Sequence, residues 1–151
     1  MRLPIGAAVA LALSSSLAAQ GIPDLATATP IAGSWSYAPA SDGSEAVFAN
    51  ASGYPQLWVH CTRATRRISI ALPATAAVTV VNVWSSSVTR SAAPSFNATV
   101  GRASVELANF DPLFDALANS RGRIGFALGS QPALVLPAWP EISRVVEDCR
   151  A

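Results

Sequence analysis

The sequence predicts a mainly β domain: an antiparallel β-sandwich or flattened barrel of about 7–8 strands, with one short helix and a C-terminal helix held by a disulfide. Short alternating apolar runs, bounded by Gly, Pro and Ser, recur along residues 33–136. Near the C-terminus, apolar residues recur at the spacing of one helical face: Ile142, Val145, Val146 and Cys149. The second cysteine, Cys61, lies in a strand-like run far from that helix.

The chain divides into a targeting segment, a lead and one domain. Residues 1–19 are predicted to be a signal peptide, because Arg2 precedes an uncharged apolar run and small residues follow it. The run, residues 5–13, is shorter than the roughly 20 residues that span a bilayer, so no integral span is expected after cleavage. Residues 20–32 have little periodicity and are predicted to be a flexible N-terminal lead. Residues 33–151 are predicted to form a single β-rich domain.

Alternation of apolar and polar residues indicates the strands, at 33–38, 45–49, 56–62, 67–72, 77–84, 99–107, 124–128 and 133–136. In the clearest of them, 56–62, Cys61 faces one side and His60 the other. Residues 67–72 follow after a short connection, so these two strands are expected to form a hairpin. Because its inner side carries Cys61, the terminal helix is expected to pack there.

The short helix is predicted to begin after Asp111, a suitable N-cap, with Pro112 in its first turn. Gly122 is expected to end it. Its apolar residues are predicted to lie on one side: Phe110, Leu113, Phe114 and Leu117. Residues 91–97, which contain Pro94, are predicted to be a loop.

The two cysteines are predicted to form a Cys61–Cys149 disulfide, because paired cysteines in an exported chain are normally oxidised. The alternative is two free buried thiols. Such a bridge stabilises by roughly 4–5 kcal/mol at most, on chain-entropy reasoning. A metal site is disfavoured, since two cysteines and His60 lack the paired spacing of a zinc set, and no cofactor is expected.

Charge and composition exclude several classes of protein. Hydrophobic residues make up 51% of the chain and charged residues 13%, which argues against disorder. Without Arg2, nine Arg balance nine Asp plus Glu, and the sequence contains no Lys. A neutral chain is not typical of proteins that bind nucleic acid or anionic membranes, which select for net basic charge.

The catalytic possibilities are limited, and no catalytic residue is assigned. A hydrolase would use His60, the only histidine, with a serine such as those at 85–87, yet the chain has no Gly-x-Ser-x-Gly elbow. The alternative is an ordinary strand histidine. Asp111 and Asp115 could form the carboxylate pair of a glycosidase, but a helix cap and an ion pair explain them more simply.

Two arginine groups are the candidate ligand-binding residues. Arg121 and Arg123 flank a glycine, and Arg63 and Arg66 lie in the predicted hairpin connection. The guanidinium fork matches carboxylate, phosphate and sulfate groups. The alternative is solubility with internal ion pairs, for example from Arg121 or Arg123 to Asp115.

Trp139 is a further candidate, at the corner between the last strand and the terminal helix. It is predicted to fill that corner with its ring. The alternative is an exposed binding hot spot beside Arg144.

Several segments resemble small uncharacterised exported proteins of sphingomonad-type bacteria. They are Asp-Ala-Leu-Ala at 115–118, Ser-Arg-Gly-Arg at 120–123, residues 133–141 and 147–150, 61–67 and 83–87. This likeness implies export but no activity. The order of strands, late short helix and C-terminal cysteine helix is distantly similar to periplasmic β-sandwich proteins of the invasion-associated locus B type. Their cysteine arrangement differs, so no site residue is carried over.

Taken together, these features predict a periplasmic or secreted, non-enzymatic protein that binds an unidentified protein or envelope component. A sharper form is an inhibitor of an envelope hydrolase, which would present a loop on the rigid β scaffold. Two alternatives stay open: a hydrolase that uses His60, and a small-ligand carrier with a cavity of roughly several hundred Å³.

Overall fold

The computed structural model describes residues 22–151, in which ten strands and two helices follow one another. The strands are β1 Gly33–Ala40, β2 Gly43–Asn50, β3 Pro55–Thr62, β4 Arg67–Pro73, β5 Val81–Trp84, β6 Thr89–Ala92, β7 Ser95–Asn97, β8 Arg102–Ala108, β9 Arg123–Leu128 and β10 Leu134–Pro137. The helices are α1 Pro112–Ala118 and α2 Pro140–Arg150. None of the helices in this part of the chain has the length and apolar character needed to cross a membrane.

All strand pairs are antiparallel and form two sheets. The first has the order β1-β2-β3-β4-β8-β7 and the second the order β10-β9-β5-β6. The inner faces of both sheets share one core with the two helices. The predicted mainly β, antiparallel class with a disulfide-held C-terminal helix is therefore confirmed, although the strands number ten rather than seven or eight.

The β3–β4 hairpin forms as predicted, with Cys61 opposite Ile68 in the register. Leu57, Val59 and Cys61 are fully buried, whereas His60 on the other face is half-buried. This is the two-residue period that a strand with one covered face requires. The hairpin thus presents its cysteine to the core.

Helix α2 packs across β2 and β3, with smaller contacts to β1 and β4. Its predicted apolar stripe is buried, and Cys149 is bonded to Cys61 with a Cα–Cα distance of 5.5 Å. Gly43, the first residue of β2, also lies close to β3: a Cβ on it would overlap the carbonyl oxygen of Cys61. Only glycine fits at that position.

Several predicted boundaries were wrong; for example, the strand expected from residue 99 begins at Arg102, after a turn. The strand expected from residue 77 begins at Val81, because its partner β9 ends at Leu128 and offers no ladder for earlier residues. Residues 91–97 are not a loop but contribute to β6 and β7, two short edge strands with little apolar signal. Helix α1 ends at Ala118, capped by Asn119, before the expected Gly122.

The N-terminus of α1 is as predicted, since the Asp111 side chain accepts from the Leu113 backbone N–H at 3.0 Å. Phe110, however, is 64% exposed and does not join the buried side. It precedes the cap, so its side chain lies outside the helical face, where the Arg150 guanidinium lies 5.0 Å from its ring centroid.

Candidate functional site

A groove that we call the arginine groove lies on the outer face of the four-stranded sheet. It has a volume of about 440 Å³ and is formed by residues 22–26, the β5–β6 connection and the start of β9. Its lining residues are Ile22, Pro23, Asp24, Leu25, Ala26, Trp84, Ser85, Ser86, Thr89, Arg121, Gly122 and Arg123. Both arginines of the predicted Arg121–Arg123 pair therefore line one groove.

The groove has an apolar floor. Trp84 follows the core residue Val83 on β5, so its indole lies on the opposite face of the sheet. A Cβ on Gly125 would lie 3.2 Å from Trp84 Cε3 and 3.3 Å from Leu25 Cδ2. The absent side chain of Gly125 therefore allows Leu25 and the indole to pack closely over β9.

Arg123 holds the N-terminal lead against the sheet. Its Nη1 donates to the carbonyl oxygens of Leu25 at 3.2 Å and Ala26 at 2.8 Å. The residues predicted to be a flexible lead thus make specific contacts, although their flexibility stays a prediction. Within residues 22–151 the buried Nε of Arg123 has no hydrogen-bond partner.

The turn in the lead is also stabilised locally. The Asp24 carboxylate accepts hydrogen bonds from the Thr27 hydroxyl at 2.8 Å and the Ala26 backbone N–H at 3.0 Å. Both hydrogen bonds lower the pKa of Asp24, and the bond from the Thr27 hydroxyl has the larger effect. The positive charge of Arg123 lowers this pKa further. This wall of the groove is therefore a turn that is stabilised by its own hydrogen bonds and carries the negative charge of Asp24.

Arg121 differs from Arg123 because it is exposed at the rim of the groove. None of the ion pairs within residues 22–151 includes it. Ser85 is occupied by its own turn, since its hydroxyl donates to the Val88 carbonyl oxygen and accepts from the Val88 N–H. The arginine groove thus combines an apolar floor with the exposed Arg121 guanidinium at its rim, while the Asp24 carboxylate and the Arg123 guanidinium, bonded to the lead, form part of its wall.

The second predicted arginine group lies elsewhere. Arg63 and Arg66 are exposed in the β3–β4 turn of the six-stranded sheet, and the structure does not bring them to Arg121 or Arg123. Their role in ligand binding stays a prediction.

Trp139 does not fill the strand–helix corner, and that expectation was wrong. Its side chain is 46% exposed at the N-cap position of α2. Trp35, 6% exposed, packs at this corner instead, where its Nε1 donates to the Pro137 carbonyl oxygen at 2.9 Å. Of the two interpretations of Trp139, the exposed one agrees with the structure.

His60 lies between two carboxylates on the outer face of the six-stranded sheet. Its Nε2 is 3.1 Å from Asp42 Oδ2, and its Nδ1 is 3.5 Å from Glu45 Oε2. The hydrogen bond from His60 lowers the pKa of Asp42. Ser85 lies in the connection between β5 and β6 of the four-stranded sheet, so the fold does not place it beside His60.

A second, shallower groove of about 230 Å³ borders His60. In it the Arg102 guanidinium lies 3.5 Å from the ring centroid of Trp58. Among the described residues, no group of three or more His, Cys, Asp or Glu side chains is arranged to hold a metal ion.

The carboxylates of α1 have structural partners. Arg90 Nη2 donates to both carboxylate oxygens of Asp111, each at 2.6 Å. Asp115 pairs with Arg150 at 2.7 Å. The sequence had suggested Arg121 or Arg123 as its partner. The Asp115–Arg150 pair thereby links the middle of α1 to the C-terminus of α2.

Sequence reasoning found Arg121 and Arg123 but missed Trp84, Gly125 and the apolar residues of the lead. Ile22, Pro23 and Leu25 stand among small and polar residues, which was the available signal. No family model matches the chain, and no curated protein or solved structure is significantly similar to it.

Proposed function

We propose that this chain is an exported, non-enzymatic binding protein whose ligand is a small amphipathic anion held in the arginine groove. The ligand's apolar part lies against Trp84 and Leu25, and its carboxylate, sulfonate or phosphate group meets Arg121. The observation that carries the proposal is a guanidinium without an ion-pair partner in residues 22–151, placed at the rim of an apolar floor.

The dimensions and chemistry of the groove support this ligand class. Its volume of about 440 Å³ falls within the range of roughly 300–1,000 Å³ typical of small-molecule sites. Apolar surface supplies most of the affinity in such sites, and a few charged groups fix the orientation. A guanidinium binds a carboxylate or phosphate through two parallel hydrogen bonds, which favours an anionic head group.

Binding without catalysis is supported by how the polar groups near the groove are used. The Ser85 hydroxyl is engaged in its own turn, and His60 lies on the other sheet. Export is supported by the buried Cys61–Cys149 disulfide, because such bonds persist mainly in oxidising compartments.

The test uses two dyes with the same apolar body. 8-Anilinonaphthalene-1-sulfonate carries an anionic group, and N-phenyl-1-naphthylamine carries none. We expect Arg121→Gln to weaken binding of the sulfonate about 10- to 100-fold, since a charge-assisted hydrogen bond contributes about 1.5–3 kcal/mol. Binding of the neutral dye should change less than about twofold. Fluorescence titration of the folded protein measures both.

Arg63→Gln is the matched control, because Arg63 is an exposed arginine away from the groove, and it should bind both dyes as the wild type does. Gly125→Val should weaken both dyes, since its side chain would displace Leu25 and Trp84. Thermal melts establish that each variant is folded. The proposal would be contradicted if Arg63→Gln lowered the affinity for the sulfonate dye as much as Arg121→Gln does, or if Arg121→Gln left that affinity unchanged.

A further inference from the structure

We infer that β1 is the interface of a homodimer, in which it pairs antiparallel with β1 of a second copy and joins the two six-stranded sheets. This inference concerns the first sheet, and it is independent of the arginine groove on the second sheet.

The two sheets leave four edge strands, and three of them are protected. β7 has only three residues. β6 has four, and Arg90 within it is bonded to Asp111. β10 has four, ends in Pro137 and already accepts a backbone hydrogen bond at Val135 from Ile31 at 2.9 Å. Short length, proline and covering segments are the usual means of preventing edge-to-edge association.

β1 has none of these protections along most of its length. It has eight residues, Gly-Ser-Trp-Ser-Tyr-Ala-Pro-Ala, and within residues 22–151 it pairs only with β2. No residue in it is charged, and Ser34, Ser36 and Ala38 are exposed. Pro39 lacks an N–H, which limits further pairing to residues 33–38. Six residues of an uncharged edge strand remain available to a second chain.

The flank of β1 carries side chains typical of interface hot spots. The Arg144 guanidinium lies 4.1 Å from the ring centroid of Tyr37, and the Tyr37 hydroxyl donates to Asp148. Trp139 is exposed two residues beyond Pro137, whose carbonyl accepts from Trp35 of β1. Trp, Tyr and Arg are the residues most enriched among hot spots, so the flank of the edge strand is suited to burial.

Charge favours a second copy as the occupant. Antiparallel pairing of β1 with itself is a two-fold arrangement, which places the same surface of each copy against the other. Like charges opposite one another destabilise such pairing, and β1 contains none. Beside it, α2 carries charges of both signs next to Tyr37: the Arg144 guanidinium stacks on the ring, and the Asp148 carboxylate accepts from the hydroxyl. Residues 22–151 carry nine Arg and nine acidic residues, so two copies have no net repulsion.

Sedimentation velocity of the mature, oxidised protein, from micromolar to submillimolar concentration, tests the inference. We expect the wild type to approach twice the monomer mass. Ser36→Lys should weaken association at least tenfold, because the two-fold places the lysines of both copies on one short edge. Ser69→Lys is the matched control: Ser69 also lies on the outer face, but on the interior strand β4, and this variant should dimerise normally.

A second pair of variants tests the flank. Trp139→Ser should weaken association, whereas Phe110→Ser, which removes another exposed aromatic ring, should not. Ser36→Lys should bind the sulfonate dye as the wild type does, which separates this inference from the proposed function. A wild type that is monomeric at every concentration, or a dimer that Ser36→Lys leaves intact in the folded protein, would overturn the inference.

Discussion

At the scale of single residues, His60 shows why residue type alone does not establish chemistry. A lone histidine on a strand was the best nucleophile-activating candidate in the sequence, yet its two ring nitrogens face Asp42 and Glu45. These carboxylates come from the β1–β2 turn and from β2, and their approach depends on strand register, which a single sequence does not contain. Arg121 was identifiable because guanidinium chemistry depends little on its neighbours.

The Asp42–His60 contact makes a prediction about acid stability. The hydrogen bond from His60 holds the pKa of Asp42 below its ordinary value of 3.8. The carboxylate form is therefore favoured in the folded state, and the resulting stabilisation is present above about pH 4 and is lost as the pH falls through the lowered pKa. Asp42→Asn should make the decline of the melting temperature below pH 4 shallower.

Melting curves recorded from pH 5 to pH 2 check this expectation. His60→Gln should have an effect in the same direction, because it removes the donor. The double variant should add little to either single change, since both remove the same interaction. Identical slopes in the wild type and Asp42→Asn would show that the contact does not stabilise the fold.

At the scale of elements, strongly periodic segments could be predicted and weakly periodic ones could not. Helix α2 was identifiable because four apolar residues fall on one face, and the same residues are buried. β6 and β7 were missed because edge strands alternate between exposed and half-buried residues, most of them polar. The end of α1 was misplaced because Asn119 caps the helix three residues before the glycine.

The disulfide and the apolar stripe hold α2 in separate ways, which can be distinguished. Cys149→Ala removes the bridge across 88 residues of sequence and leaves Ile142, Val145 and Val146 buried. We expect the free energy of unfolding to fall by about 2–5 kcal/mol, mainly because the unfolded chain gains freedom. Denaturant unfolding measures the change.

Reductant provides the control for this prediction. It should lower the melting temperature of the wild type towards that of Cys149→Ala and leave the variant unaffected. If the oxidised and reduced wild-type proteins melt at the same temperature, the bridge does not contribute to the stability of this element.

At the scale of the whole molecule, the candidate site joins segments about 60 and 100 residues apart. Leu25 packs over Gly125, and both lie beside Trp84. No local pattern encodes such contacts, so the sequence predicted the arginines of the groove but not its floor. The same lead connects the domain to residues 1–19, whose predicted removal would leave the groove close to the new N-terminus.

The predicted export of the protein can be tested with the whole chain. Expressed in a Gram-negative host, the chain should appear in the osmotic-shock fraction with the mass of residues 20–151 less two hydrogens, because the disulfide forms after translocation. Leu11→Arg should interrupt the apolar run and leave a full-length cytoplasmic protein whose two cysteines both react with an alkylating reagent. Ala32→Arg, the same kind of charge placed in the exposed lead, should be exported normally. Intact-mass spectrometry of each fraction distinguishes these outcomes, and a shock-fraction protein that retains residues 1–19 would contradict the predicted signal peptide.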